Sequence, residues 1–88
     1  MKKVNLNFSL TDLDGIEIPN SNAGKIIANT LIQQSKGDAL KFWGWALKLN
    51  QKEELELDDS DYSTLKDFVK SHEGLPILTK AQCLKSFE

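Results

Sequence analysis

The sequence has few of the residues from which active sites and covalent frameworks are usually built. Cys83 is its one cysteine and His72 its one histidine. A single cysteine excludes an internal disulfide and suits a reducing compartment. The glycines at Gly24 and Gly37 belong neither to a Walker loop nor to a dinucleotide fingerprint, so no phosphate-binding loop is predicted. We therefore expect no enzyme and no cofactor.

An excess of charge of one sign and a long hydrophobic run are also missing. The 11 basic and 13 acidic side chains give a formal charge of −2, which provides no general attraction to nucleic acid or to an anionic membrane. The longest apolar run, near Phe42 to Leu47, is far shorter than the ~20 residues of a membrane span. The segment 1–10 alternates polar and apolar residues and does not read as a signal peptide. These features predict a cytoplasmic protein that binds neither membrane nor nucleic acid directly.

Hydrophobic periodicity predicts an α+β fold. The residues from Val4 to Leu10 alternate as in a half-buried strand, and Ile16 to Ile18 return as a second strand that Pro19 stops. Together they predict an N-terminal β-hairpin.

Four helices and a short third strand complete the predicted order β-β-α-α-β-α-α. In chain order we expect a helix at 23–35, a central helix at 38–50, a strand at 54–57, a helix between Ser60 and Gly74, and a last helix from Pro76 onward. A content of 40% hydrophobic and 27% charged residues fits one compact domain over residues 1–88. A domain of this size has modest stability, which makes association plausible.

The central helix is the most apolar segment of the chain, and Asp38 is suited to cap its N-terminus. Its apolar side chains cover an arc of about 220° on a helical wheel, whereas an ordinary surface helix needs only about 100°. They are Leu40, Phe42, Trp43, Trp45, Ala46, Leu47 and Leu49. Such a helix has to be covered on two sides, either by its own domain or by a partner chain.

The two tryptophans lie nearly opposite each other on this helix. We expect Trp43 to be buried and the Trp45 side to be at least partly exposed, because that side lies nearest the lysines. The predicted interaction residues are Phe42, Trp45 and Leu49, together with Lys41 and Lys48. Their partner is a second copy or another protein. The alternative is that the aromatic cluster belongs to the core alone, since tryptophan is common both in binding hot spots and in small cores.

Asp12, Asp14 and Gly15 have the spacing found at the centre of a calcium loop. In the twelve-residue EF-hand pattern, however, Leu10 would then stand first and Ser21 last, where carboxylate ligands are required. We therefore interpret the segment as the hairpin turn, in which aspartate caps its own backbone and glycine takes a positive φ.

The densest charge feature is an acidic block at 53–61. Its candidate docking residues are Glu54, Glu56, Asp58, Asp59 and Asp61. The simplest interpretation is a solvated strand followed by a negatively charged helix start, which the helix dipole favours. The alternatives are an electrostatic docking surface, a mimic of nucleic-acid phosphates, or weak metal binding.

His72 and Cys83 are interpreted as structural residues. His72 falls in the apolar stripe near the end of the third helix, where it completes the edge of the core or meets the helix dipole. Cys83 is expected to act as a small hydrophobe, because a thiol nucleophile needs a base and an orienting partner.

Several stretches of the sequence resemble small uncharacterised proteins encoded by bacteriophages and prophages. The stretches are Leu13–Gly15, Gly37–Trp43, Trp45–Leu49 and Leu57–Tyr62. The resemblance implies a phage factor in the bacterial host cytoplasm that acts by binding, either in virion assembly or on a host protein. It assigns a role to no residue.

We therefore expect a small, non-enzymatic protein-binding factor that forms a homo-oligomer. The alternative is an anti-defence sponge or inhibitor that captures a small signal molecule or mimics nucleic acid.

Overall fold

The computed structural model describes residues 1–87, which form four α-helices and two antiparallel sheets of two strands each. The elements are β1 (Lys2–Val4), β2 (Ser9–Thr11), β3 (Glu17–Asn22), α1 (Ala23–Ile32), α2 (Ala39–Asn50), β4 (Leu55–Leu57), α3 (Asp59–Ser71) and α4 (Ile77–Leu84), followed by a 3₁₀ turn at Lys85–Phe87. The α+β fold is confirmed. The described order begins with three strands, one more than predicted.

The extra strand arises because the predicted first strand is divided in two. Between β1 and β2 the amide of Phe8 donates to the carbonyl oxygen of Leu6 at 2.9 Å, which turns the backbone tightly around Asn7. The same oxygen accepts from the amide of Gly24 at 2.8 Å. Leu6 is nevertheless fully buried. Val4, Leu6 and Leu10 are therefore buried, as in the single strand that the sequence predicted, but the backbone pairing is interrupted between β1 and β2.

The two sheets join distant parts of the chain. β1 pairs with β4, with Lys2 opposite Leu57 and Val4 opposite Leu55. The predicted third strand is thus present, and it pairs with the start of the chain. β2 and β3 form the predicted hairpin.

The second strand of the hairpin continues past Pro19, where the sequence predicted that it would stop. The register of the β2–β3 pair shifts between Ser9 and Thr11 of β2. In β3, Asn20 has a φ of 56°, a left-handed conformation that asparagine tolerates better than most residues. Where the register shifts, the amide of Leu10 donates to the buried Ser21 hydroxyl at 3.0 Å. An irregular strand without a partner on its outer side accommodates the proline.

Three helices begin at side-chain caps, of which the sequence predicted Asp38. Asn22, Asp38 and Asp58 each accept a hydrogen bond from the amide three residues later, at 3.1, 3.1 and 2.7 Å. Such caps satisfy one of the free amides at a helix start. Helix α1 ends at Ile32, three residues before its predicted end.

The buried side chains of the helices and strands form a shared hydrophobic core. Its members are Val4, Leu6, Leu10, Ala23, Ile27, Ala28, Leu31, Trp45, Ala46, Leu49, Leu55, Leu57, Leu65, Val69, Leu75, Cys83 and Phe87. Helices α1 and α2 pack closely against each other. At Gly24 a Cβ atom would lie 3.2 Å from the carbonyl oxygen of Leu49, so the absence of a side chain permits this approach.

Candidate functional site

The Trp45 side of α2 lies inside the domain. Trp45 is 7% exposed, and Leu49 and Ala46 are buried with it. The half-buried Phe42 ring stacks on Trp45 with centroids 5.5 Å apart and meets the edge of Phe68 in α3 at 5.8 Å. The expectation that this side is exposed in the monomer is wrong, because α1 and α3 cover it.

The opposite side of α2 is the one that reaches solvent. Leu40 is 86% exposed, Trp43 54% and Leu47 44%. The expectation that Trp43 is buried is therefore also wrong. At 100° per residue these three side chains occupy an arc of about 60°, which makes one continuous stripe along the helix.

Helix α1 contributes one more exposed side chain beside this stripe. Ile32 is 48% exposed and lines the same two grooves as Trp43. We use the term apolar face for Ile32, Leu40, Trp43 and Leu47. The helical pattern placed the three α2 residues on the apolar arc, but it distinguished neither this stripe nor Ile32. The available signal was that Ile32 lies about 140° around the helix from Ile27, which is at the centre of the buried Ala23, Ile27 and Leu31 side of α1.

Two grooves flank the ring of Trp43. The larger has a volume of about 510 Å³ and runs from Ile32 and the α1–α2 connection to Leu40. The smaller has a volume of about 170 Å³ and is bordered by Leu47, Asn29 and Asn50. The apolar face is therefore a ridged surface with a recess on each side of its central ring.

The grooves contain little charge. Of the described residues that line them, Lys36 in the α1–α2 connection is the single ionisable one, and the other polar members are amide and hydroxyl side chains. A surface of this kind selects its ligand by apolar contact and shape.

Lys41 and Lys48 lie on a separate exposed side of α2, next to Gly44. The ammonium group of Lys41 lies 2.8 Å from a carboxylate oxygen of Asp61 at the start of α3. That hydrogen bond, together with the negative charge of Asp61, raises the pKa of Lys41. The structure thus brings one predicted interaction lysine together with the predicted acidic docking block.

The acidic block is distributed over β4 and the first turn of α3, as its simplest interpretation requires. Lys2 lies 3.8 Å from Asp59, and Lys3 lies 4.0 Å from Glu54. Glu56 stands opposite Lys3 across the β1–β4 pair. Lysines therefore accompany these carboxylates, which reduces the negative potential that a mimic of nucleic-acid phosphates would present.

The aspartate-rich segment at 12–15 is the hairpin turn. One carboxylate oxygen of Asp12 accepts from the amides of Asp14 and Ile16 at 2.9 and 3.0 Å, and Gly15 has a φ of 83°. These two hydrogen bonds show that the Asp12 carboxylate caps the backbone of the turn, as the sequence predicted. Within residues 1–87 no group of three or more histidine, cysteine, aspartate or glutamate side chains could hold a metal ion.

His72 and Cys83 occupy structural positions. His72 follows the last turn of α3, and its ring stacks on Phe68 with centroids 5.2 Å apart. Cys83 is fully buried, and this burial raises the pKa of its thiol to about 11. A neutral buried thiol behaves as a hydrophobic side chain near pH 7.

In the part of the chain that the structure describes, none of the helices has both the length and the apolar character needed to cross a membrane. The chain matches no protein-family model, no curated protein and no solved structure.

Proposed function

We propose that this chain is a small, non-enzymatic protein-binding factor that engages its partner through the apolar face. The observation that carries the proposal is the exposure of Trp43 between two recesses, with Leu40, Leu47 and Ile32 around it. Tryptophan is enriched among the residues that dominate binding energy, especially at the centre of an interface.

The size of the apolar face supports a protein partner. Its four side chains expose apolar area on the order of 400 Å², which is within the range of the largest patches on soluble monomers, and such patches are often functional. The recesses are open and carry few polar groups, whereas a site for a small signal molecule is more enclosed and directs several polar groups at its ligand.

The resemblance to small phage and prophage proteins supports a role as an assembly or host-directed factor in the bacterial cytoplasm. A factor of this kind acts by occupying a surface, so it needs an exposed contact patch and no catalytic group. The apolar face supplies that patch. The lysines beside the acidic block do not favour the alternative of nucleic-acid mimicry.

The test compares two serine variants in cells. Trp43→Ser removes the centre of the apolar face, while Ile77→Ser is a matched control at an exposed apolar side chain of α4 that is 85% exposed. Tagged wild type and variants are crosslinked in bacterial cells that express them, and each captured protein is then titrated with purified components. We expect Trp43→Ser to weaken binding at least tenfold, since a hot-spot truncation costs about 2 kcal/mol or more.

The control keeps wild-type affinity under this proposal. Equal binding by wild type and by the folded Trp43→Ser variant would contradict the proposal, because the central side chain of the face would then contribute nothing.

A further inference from the structure

The apolar stripe of α2 has nearly the same order of side chains in both directions. Leu40 lies three residues before Trp43, and Leu47 lies four residues after it. At a rise of about 1.5 Å per residue, the two leucines are about 10 Å apart along the helix axis, with the tryptophan close to the midpoint. A surface that reads alike from either end can meet a copy of itself across a two-fold axis.

We propose that the partner of the apolar face is a second copy of this chain, with α2 antiparallel to α2 of its partner. The inference rests on the proposed function of this face in protein binding and identifies the protein that it binds. The two-fold axis passes close to Trp43, so the two Trp43 rings meet at the centre. Leu40 of each copy lies against the partner's Leu47.

The recesses beside Trp43 fit this arrangement. The groove of about 510 Å³ lies between Leu40 and the α1–α2 connection, at the end of the stripe where the partner's Leu47 arrives. In the same way, Leu47 of the first copy enters the corresponding groove beside Leu40 of the partner. Each copy therefore supplies both a projecting leucine and a recess, as a two-fold contact requires.

The exposed area is close to what a small dimer needs. A standard interface buries about 800 Å² per partner, and in homodimers about 65% of it is apolar, which is roughly 500 Å². The apolar face supplies on the order of 400 Å², and Asn29, Gln34 and Asn50 at the groove margins supply a polar rim. A contact of this area lies at the small end of stable interfaces, so we expect a reversible dimer.

The charge distribution also favours self-association. Near a two-fold axis, a charged side chain faces the identical side chain of the partner, and the two like charges repel each other. The centre of the apolar face carries no ionisable side chain, and Lys36 lies in the connection that precedes α2. In the antiparallel arrangement the two Lys36 side chains lie at opposite ends of the contact.

The first experiment measures the mass of the purified protein by analytical ultracentrifugation from about 1 µM to 1 mM. We expect the wild type to pass from monomer to dimer across this range. Trp43→Ser raises the dissociation constant at least tenfold, Leu40→Ser raises it severalfold, and Ile77→Ser leaves it unchanged. Far-ultraviolet circular dichroism tests whether each variant is folded. If Trp43→Ser does not fold, Leu40→Ser, at an 86% exposed position, tests the contact in its place.

The second experiment tests the antiparallel order. Leu40→Cys and Leu47→Cys proteins are mixed under mild oxidation, and the native Cys83 is buried and does not compete. The mixture is expected to form a disulfide-linked dimer much faster than either variant alone, because in an antiparallel pair identical positions are about 10 Å apart along the helices, beyond the reach of a disulfide. Faster linking of either single variant would overturn the antiparallel arrangement.

A monomer at 1 mM would overturn self-association. If Trp43→Ser nevertheless loses a different partner captured in cells, the apolar face remains a protein-binding surface and only its assignment to a second copy fails. If neither contact depends on Trp43, the proposed function fails as well.

Discussion

Trp43 and Trp45 lie two residues apart on α2 and have opposite environments. Trp45 is 7% exposed and stacks on Phe42, whereas Trp43 is 54% exposed and projects between two open grooves. Both residues are tryptophans, and both belong to the apolar arc of the same helix. The comparison shows that the elements packed around α2, rather than its own sequence, decide which aromatic side chain becomes core and which remains available to a partner.

The strongest way to break this comparison is to truncate each tryptophan in turn. Trp45→Ala is expected to lower the free energy of unfolding by roughly 3–5 kcal/mol, the usual cost of removing a buried aromatic ring. Trp43→Ala is expected to cost about 2 kcal/mol, since about half of that residue's surface already contacts water in the monomer. Urea unfolding at micromolar protein concentration measures both. Equal losses would show that the two environments are not different.

The leucines of the same helix provide a second matched pair. Leu49→Ala removes a fully buried side chain and is expected to cost about 2–4 kcal/mol, while Leu47→Ala removes a half-exposed one and is expected to cost less than about 1 kcal/mol. Urea midpoints of the two variants compare them directly. A larger loss for Leu47→Ala would reverse the assignment of the two sides.

The buried thiol in α4 sharpens the comparison through pH. Burial raises the pKa of Cys83 to about 11, so the unfolded chain loses the thiol proton at lower pH than the folded chain. The contribution of the raised Cys83 pKa to the free energy of unfolding is fully present below the pKa of the thiol in the unfolded chain, near 8.5–9. It is lost as the pH rises towards the folded pKa of about 11. Relative to Cys83→Ala, the wild type is expected to lose roughly 1–2 kcal/mol of unfolding free energy between pH 7 and pH 10.

Urea unfolding of the two proteins at both pH values tests the Cys83 prediction. Measuring their difference removes the contribution of Lys41, whose raised pKa makes its pairing with Asp61 weaken only at still higher pH. A difference that does not change with pH would mean that the thiol is accessible to water in the folded protein.

The helix glycines give the smallest expected effect. A Cβ atom at Gly44 would meet nothing within 4 Å, so Gly44→Ala is expected to stabilise the fold by about 0.5–1 kcal/mol through helix propensity. At Gly24 a Cβ atom would press on the backbone oxygens of Leu49 and Leu6 at 3.2 and 3.3 Å. Gly24→Ala is therefore expected to lower the melting temperature, while Gly44→Ala raises it. A decrease for Gly44→Ala would show that this side of α2 is covered.

Much of the fold could be predicted because its signals are local. The caps at Asp38 and Asp58 act on amides three residues away, and the turn at 12–15 is held by the side chain of Asp12. The pairing of β1 with β4 joins residues more than fifty positions apart. The short Glu54–Leu57 alternation predicted that strand but could not indicate its partner.

The candidate site could be predicted only in part, because a wide apolar arc has two possible outer sides. The helical wheel indicated that both the Trp43 side and the Trp45 side of α2 must be covered. The nearby lysines led to the prediction that the Trp45 side is exposed, which is wrong. Lys41 pairs with Asp61 of α3, so a lysine beside the arc marked a tertiary contact instead of open solvent. Tertiary packing, which periodicity does not encode, decided the outcome.

The most direct measurement of the central claim is fluorine NMR of the wild-type protein labelled with 5-fluorotryptophan, with the two resonances assigned through Trp43→Phe. At low concentration we predict that the Trp43 resonance responds to exchange of H₂O for D₂O and that the Trp45 resonance does not. With increasing concentration, the Trp43 resonance shifts and loses this solvent response as the apolar face becomes covered by a second copy. A solvent-sensitive Trp45, or a Trp43 resonance that stays unchanged and solvent-exposed up to 1 mM, would contradict the account.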